Sequence, residues 1–149
     1  MISDLKTLIN IPSVSAKDQN LVECAEAVSA LMNRVGIKSE IIYLDPKDNI
    51  ATSSLPPPIV YGEIKSQKNP NSKTILFYNH YDVQPEDPLD QWNVPPFSGE
   101  VSGNYIYGRG SSDDKGELIT RIKAVEYFLR ETGDVPCNVK FIVEGEEEI

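Results

Sequence analysis

The chain has few of the residues that mark a function by themselves. Its 149 residues include one histidine, two cysteines and one tryptophan, and 14 basic residues stand against 23 acidic ones. The formal net charge of −9 excludes a nucleic-acid binder that works by general attraction to phosphates. No apolar run approaches the roughly 20 residues of a membrane-spanning helix. The first residues are amphipathic and include Asp4, unlike a secretory signal peptide.

The cysteines are too far apart to indicate a metal site. Cys24 and Cys137 do not form any of the close pairs that bind metals. This usage favours a reducing, cytoplasmic location. The length suggests about one domain, and a hydrophobic fraction of 40% is enough to form a core.

The first half of the chain is predicted to alternate between helix and strand. A short helix capped by Ser3 and a longer helix over 21–35 are followed by strands over 37–44 and from Ile59 onwards. Proline-rich residues 45–57 are expected to form the loop between these strands.

The second half predicts a βαβ unit. Residues 74–78 (TILFY) and 139–143 (VKFIV) are nearly continuous apolar runs. Such runs are typical of strands buried on both faces inside a parallel sheet. A helix with one apolar stripe is predicted between them over 115–131, and Gly133 follows as a stop. The order strand, helix, strand indicates a layered α/β fold.

The single histidine, His80, directly follows the first of these runs, in the segment NHYDVQP. Ligands of open α/β sheets gather beyond the carboxyl ends of strands, so the location suits a site. Asp82 lies two residues further on, where it can hold one imidazole nitrogen and leave the other to bind a metal. For this pair alone, a solvated or turn-capping loop histidine is an equally good interpretation.

Two adjacent carboxylates, Asp113 and Asp114, lie in GRGSSDDKG, where the next helix should begin. An aspartate there can simply cap the helix and interact with its dipole, which is the better interpretation of this segment alone. The functional alternative is a carboxylate held at the rim of a metal site. A phosphate loop is excluded because the pattern GxxxxGK[ST] is absent and two carboxylates repel phosphate.

The acidic run EGEEEI, from Glu144 to Ile149, has the composition of a solvated tail. However, it follows a strand that should be buried, at the sheet edge from which His80 emerges. Four neighbouring carboxylates repel one another unless a cation compensates them, and zinc accepts both histidine nitrogen and carboxylate oxygen. A glutamate that does not bind the metal can then act as base toward metal-bound water.

Together with LINIPSVSA and QWNVPPF, these motifs resemble the zinc-dependent aminoacylase/carboxypeptidase group of metallopeptidases. That group includes carnosinase-type cytosolic dipeptidases, acetylornithine deacetylase and succinyl-diaminopimelate desuccinylase, and HYDVQP and DDKG are most similar to the dipeptidases. The resemblance implies a three-layer α/β/α catalytic domain with a mostly parallel central sheet. Residues 1–149 would form its N-terminal part, without the lid or dimerisation domain and without the C-terminal part of the catalytic domain.

The resemblance also implies particular roles for five residues and a metal cofactor. The metal ligands would be His80, Asp113 and Glu148, and the catalytic residues would be Asp82 and Glu147. Asp82 would support His80, and Glu147 would be the general base. Asp113 would bridge two zinc ions, for which cobalt or manganese are alternatives, and the peptide bond after it would be cis. A shift of one residue within EGEEEI would instead make Glu146 the general base and Glu147 the metal ligand.

The implied reaction is hydrolysis of the amide bond of a dipeptide by metal-activated water, in a protein that is a homodimer at full length. Deacylation of an N-acyl amino acid is the alternative within the family, and a non-catalytic α/β module is the alternative of another class. One histidine cannot supply a complete dinuclear site, so this chain alone is expected to be inactive. We also expect exposed apolar strand edges and faces, which would make it marginally stable or self-associating.

Overall fold

The computed structural model describes residues 1–44 and 55–149, in which the chain forms three α-helices and six strands. The helices are α1 (Ile2–Ile9), α2 (Leu21–Arg34) and α3 (Lys115–Thr132). The strands are β1 (Lys38–Ile42), β2 (Ile59–Ile64), β3 (Thr74–His80), β4 (Glu100–Ser102), β5 (Tyr105–Tyr107) and β6 (Asn138–Glu144). These elements confirm the predicted α/β class. Most of the loop predicted over 45–57 lies outside the described residues.

Four strands form one mixed sheet in the order β1–β2–β6–β3. β3 and β6 are parallel, with Phe77 opposite Phe141, and the connection between them contains α3, so the predicted βαβ unit is present. The β1–β2 and β2–β6 pairs are antiparallel, so this part of the sheet is not mostly parallel as predicted. Parallel neighbours need a crossover connection, and in the described residues only β3 and β6 are joined through a helix.

Helices α2 and α3 pack on one face of this sheet, and α1 packs against these two helices. Gly62 of β2 faces Met32 of α2, and Phe77 of β3 lies against Phe141 of β6 and under the Arg121 guanidinium of α3. Between the helices and the sheet lies the hydrophobic core, which includes Val28, Leu31, Met32, Leu118, Ile122, Val60, Phe141 and Val143. Residues 1–44 and 55–149 thus supply the sheet and one helical layer. The second helical layer of the predicted α/β/α arrangement is not among them.

Among the described strands, β3 is the last of the sheet, and its apolar run is not buried on both faces as predicted. Ile75, Leu76 and Tyr78 are 46%, 55% and 54% exposed. The apolar run of β6 lies between two neighbouring strands and alternates buried and half-buried residues. A continuous apolar run therefore identified both strands without distinguishing the edge strand from the central one. The exposed side chains of β3 agree with the expectation of an exposed apolar edge.

The ends of α2 and α3 lie within one residue of the prediction, whereas the start of α1 differs. Helix α1 begins at Ile2, so Ser3 lies inside it and is not its cap. Gly133 ends α3 in the left-handed conformation, with φ of 72°, as its predicted role as a stop requires. Within the described part of the chain, every helix is too short or too polar to cross a membrane.

Truncation of Phe141 should test the core. Phe141 is fully buried in the central strand, so Phe141→Ala is expected to destabilise the chain by about 3–5 kcal/mol through lost burial and a residual cavity. Phe128 is 40% exposed on α3, and Phe128→Ala is the matched control, expected to cost much less. Urea denaturation followed by circular dichroism measures both. Equal losses would contradict the described core.

Candidate metal centre

The carboxyl ends of β3 and β6 meet at one end of the sheet, where His80 lies opposite Glu144. Because these strands are parallel, the segments that follow them leave the sheet side by side. Helix α3 begins at the same end of the sheet, since Asp114 contacts the last residue of β3. The fold therefore brings together the three segments that the sequence singled out, NHYDVQP, GRGSSDDKG and EGEEEI.

His80 is the last residue of β3, and its side chain is almost completely buried. Its Nδ1 lies 3.2 Å from the carbonyl oxygen of Asp82 and 3.4 Å from that residue's Oδ1. Its Nε2 lies 3.1 Å from Oδ1 of Asp113 and 3.8 Å from Oε2 of Glu147. One nitrogen is thus held from inside the protein, and the other faces two carboxylates that are open to solvent.

Asp82 connects the histidine to the acidic run. Its carboxylate is fully buried and accepts hydrogen bonds from the backbone amides of Glu147, at 3.3 Å, and Glu148, at 2.8 Å. Burial alone would raise the pKa of Asp82, but the His80 ring and the Glu148 amide outweigh it and keep the pKa below its usual range. A single ionised side chain therefore orients both His80 and the turn that carries the glutamates.

Three of the predicted residues can share one cation. His80, Asp113 and Glu148 each offer a ligand atom, and these atoms lie within 4.8 Å of one another. One imidazole nitrogen with carboxylate oxygens is a donor set that zinc accepts, so the residues fit the predicted metal. This is the single such group in residues 1–44 and 55–149.

The acidic run places its glutamates differently. Gln84 donates a hydrogen bond from Nε2 to the Glu148 carboxylate at 2.8 Å, whereas the side chain of Glu147 is about half exposed next to His80. Glu146 is not part of the group of possible ligands. Burial and the nearby charges of Glu144 and Asp82 raise the pKa of Glu146.

Asp114 is a contact of the site that the sequence interpretation missed. It is buried, and its Oδ2 accepts hydrogen bonds from the backbone amide of His80, at 3.0 Å, and from Nδ2 of Asn79, at 2.6 Å. Asp114 is at the N-cap position of α3, as one interpretation of the sequence predicts, but its side chain makes no capping hydrogen bond. The Asp113–Asp114 peptide bond is cis, as the resemblance implied. The sequence shows two adjacent carboxylates but not which of them faces inward.

Tyr81, between His80 and Asp82, is held by three contacts. The buried Tyr81 carbonyl accepts a 2.6 Å hydrogen bond from the Ser13 hydroxyl, and the Tyr81 hydroxyl donates to the carbonyl of Pro58 at 2.7 Å. Gly145 packs against the Tyr81 ring so closely that a Cβ atom there would lie 2.4 Å from it. This contact explains why EGEEEI has a glycine at its second position.

Lys115 ties the start of α3 to the N-terminal segment. Its ammonium group is fully buried and donates 2.8 Å hydrogen bonds to the carbonyl oxygens of Leu8 and Ile11. Burial lowers the pKa of Lys115, because a charged ammonium group is costly away from water. The segment that carries Asp113 and Asp114 is thereby anchored to α1.

Fold and site together define a metallopeptidase-like α/β domain, in which a histidine and several carboxylates converge beyond two parallel strands. The chain belongs to peptidase family M20/M25/M40, whose sequence model matches residues 76–149. That match includes His80, Asp113 and the acidic run.

Similar proteins match over nearly the whole of this chain. It is 35% identical to human Beta-Ala-His dipeptidase, over 99% of this chain and 30% of that protein. It is 34% identical to succinyl-diaminopimelate desuccinylase from Blochmanniella floridana, over 99% of this chain and 36% of that protein. The crystal structure of human carnosine dipeptidase 1 matches with a TM-score of 0.84 and 32% identity, over 98% of this chain and 31% of that chain. The chain therefore spans about a third of the length of these relatives.

The charges around His80 determine its protonation. Burial lowers the pKa of His80, but the carboxylates of Asp82, Asp113 and Asp114 outweigh burial and raise it to about 9. Without a metal, the imidazole is therefore protonated at neutral pH. A proton and a metal ion then compete for the same nitrogen.

An NMR titration of the metal-free chain is expected to give a pKa near 9 for its single histidine. Since the unfolded value is about 6.5, the protonated ring stabilises the fold. That stabilisation is fully present below about pH 6.5 and is lost as the pH rises through about 9. Asp82→Asn should lower the pKa, and His80→Gln should remove this part of the pH dependence of stability. A wild-type pKa near 6.5 would contradict the described charge arrangement.

Proposed function

We propose that the protein containing this chain is a metal-dependent hydrolase that cleaves the amide bond of dipeptides. The observation that carries this proposal is the convergence of His80, Asp113 and Glu148, whose ligand atoms lie within 4.8 Å of one another. Zinc suits these donors, and cobalt or manganese are alternatives. A complete site is proposed to hold two zinc ions with Asp113 as the bridge, the remaining ligands coming from outside this group.

Asp82 acts in this proposal by holding His80. Its carboxylate faces Nδ1 at 3.4 Å, which fixes the ring so that Nε2 faces Asp113 on the side where the metal would bind. The same carboxylate holds the amides of Glu147 and Glu148, so the base and one ligand move together with the histidine.

Glu147 is the proposed general base. Zinc, when bound, would lower the pKa of water and polarise the scissile carbonyl. The Glu147 carboxylate accepts the proton of the water whose oxygen bonds to the carbonyl carbon. It then gives this proton to the leaving nitrogen as the C–N bond breaks. Two observations support Glu147 over Glu148: it is about half exposed beside His80, and Gln84 does not bind it.

Deacylation of an N-acyl amino acid is the second candidate. It is favoured by the 34% identity to a desuccinylase, which is close to the 35% identity to a dipeptidase. The residues of the metal centre act on an amide bond in either case. The full-length protein assayed with a dipeptide and with an N-succinyl amino acid would separate the two, and a non-catalytic protein would cleave neither. The homodimer and the cytoplasmic location stay predictions.

Calorimetry should detect zinc binding by this chain. We expect about one zinc ion per chain, because one group of three possible ligands is present in its described part. His80→Ala should abolish binding, since it removes the only imidazole. Glu126→Gln, on the far part of α3, is the matched acidic control and should bind like the wild type. Binding that survives His80→Ala would place the metal elsewhere.

Substitutions in the full-length protein should separate the roles of Glu147 and Glu148. Glu147→Gln is expected to lower dipeptide hydrolysis by roughly 10²–10⁴-fold while zinc stays bound, because it removes only the base. Glu148→Gln is expected to lower the zinc content together with activity. Zinc analysis and an assay of released amino acid measure both. Loss of zinc from the Glu147 variant would shift the roles to Glu146 and Glu147.

A further inference from the structure

We propose that Asp114 is a positioning residue that holds the backbone of His80, with Asn79 as its partner, so that the ring meets the metal in the right place. This inference rests on the proposed function for the identity of the ligand. It assigns to Asp114 a role different from that of its neighbour Asp113. The two carboxylates bracket His80, one from the side of the solvent and one from inside the protein.

The two aspartates have opposite environments although they are adjacent. The side chain of Asp113 is 77% exposed and lies 3.1 Å from the ring nitrogen Nε2 of His80. The carboxylate of Asp114 is buried and lies 3.0 Å from the backbone nitrogen of the same residue. Asp113 therefore contacts the group that binds metal, and Asp114 contacts the backbone that carries this group.

Among the described strands, β3 has a neighbour on one side only, namely β6. The next amide, that of Tyr81, donates to the carbonyl of Glu144 on β6. Successive residues of a strand point their amides to opposite sides, so the amide of His80 points away from β6, where no described strand lies. Asp114 gives this amide a charged acceptor.

Asn79 completes the arrangement. Its Nδ2 donates to Asp114, while its Oδ1 is buried without a hydrogen-bond partner. The orientation of the amide is thus set by Asp114, which receives both hydrogen bonds at one oxygen. In Asp114→Asn, the new amide can still accept from His80 and can donate to the unpaired Oδ1 of Asn79. The structure therefore predicts that Asp114→Asn, unlike Asp114→Ala, preserves the position of His80.

Zinc titration of the chain and its variants tests this role. Asp114→Ala is expected to weaken zinc binding about tenfold, as loss of a group that orients a ligand does, and Asp114→Asn should restore affinity to near the wild-type value. Asp134 provides the matched control, because it is also a buried aspartate that accepts hydrogen bonds, from Ser66 and from the amides of Gln67 and Lys68. Asp134→Ala should lower the Tm without changing the zinc affinity.

Two results with zinc would overturn the proposal. If Asp114→Ala lowers the Tm as Asp134→Ala does and leaves the zinc affinity unchanged, Asp114 is merely structural. If Asp114→Asn binds zinc as weakly as Asp114→Ala, charge and not hydrogen bonding is responsible. If Asp114→Ala does not fold, Asn79→Ala replaces it, with zinc affinity expected to fall about threefold because one hydrogen bond that holds Asp114 is lost.

A readout without metal separates this inference from the proposed function. The His80 amide should exchange slowly with solvent in the wild-type chain and in Asp114→Asn, and at least tenfold faster in Asp114→Ala. If the wild-type chain binds no zinc, the proposed function fails, and this exchange rate still decides the role of Asp114. An exchange rate that is unchanged in Asp114→Ala would overturn it.

Discussion

The buried carboxylate of Asp82 is the interaction on which the site depends. It faces Nδ1 of His80 on one side and accepts the amides of Glu147 and Glu148 on the other. These residues follow different strands, so one ionised group fixes the relative positions of two segments that are 65 residues or more apart. A buried charge is costly unless it is hydrogen-bonded, and here the contacts with His80 and with the Glu147 and Glu148 amides that offset this cost are also contacts of the site. Stability and function are therefore coupled at this residue.

The carboxylates that surround His80 explain why a cation is favoured at the carboxyl ends of β3 and β6. Asp113 and Glu147 approach Nε2 from the solvent side, and Asp82 approaches the ring from inside. Without a metal, the histidine itself supplies a positive charge by staying protonated. Tyr78 shows the same electrostatics further along, since its hydrogen bond to Glu144 raises the pKa of Tyr78 to about 12. The net negative field is thus a property of the whole carboxyl end of these strands and not of one residue.

Much of this could be predicted from the sequence, because periodicity and motifs report on local structure. The helices α2 and α3 followed from apolar stripes, and the meeting of His80 with EGEEEI followed from two apolar runs on either side of a helix. The edge position of β3 could not be predicted, since TILFY has the same composition whether or not another strand covers it. The inward direction of Asp114 could not be predicted either, because it depends on an amide of β3 that pairs with none of the described strands. Long-range pairing, and not local propensity, determines both.

On the side of β3 that faces away from β6, side chains of the described residues bind backbone groups only near the carboxyl end of the strand. Arg121 donates to the carbonyl of Tyr78 at 2.9 Å, and Asp114 accepts the amide of His80, so two outward backbone groups near the metal centre are already bonded to side chains. The outward groups of Thr74 and Leu76 lie at the other end of the strand. A further strand that extends this sheet would have to start there, and to continue alongside His80 it would have to displace an arginine and an aspartate. Growth of the sheet and the geometry of the metal centre are thus kept apart by two side chains of the same helical segment.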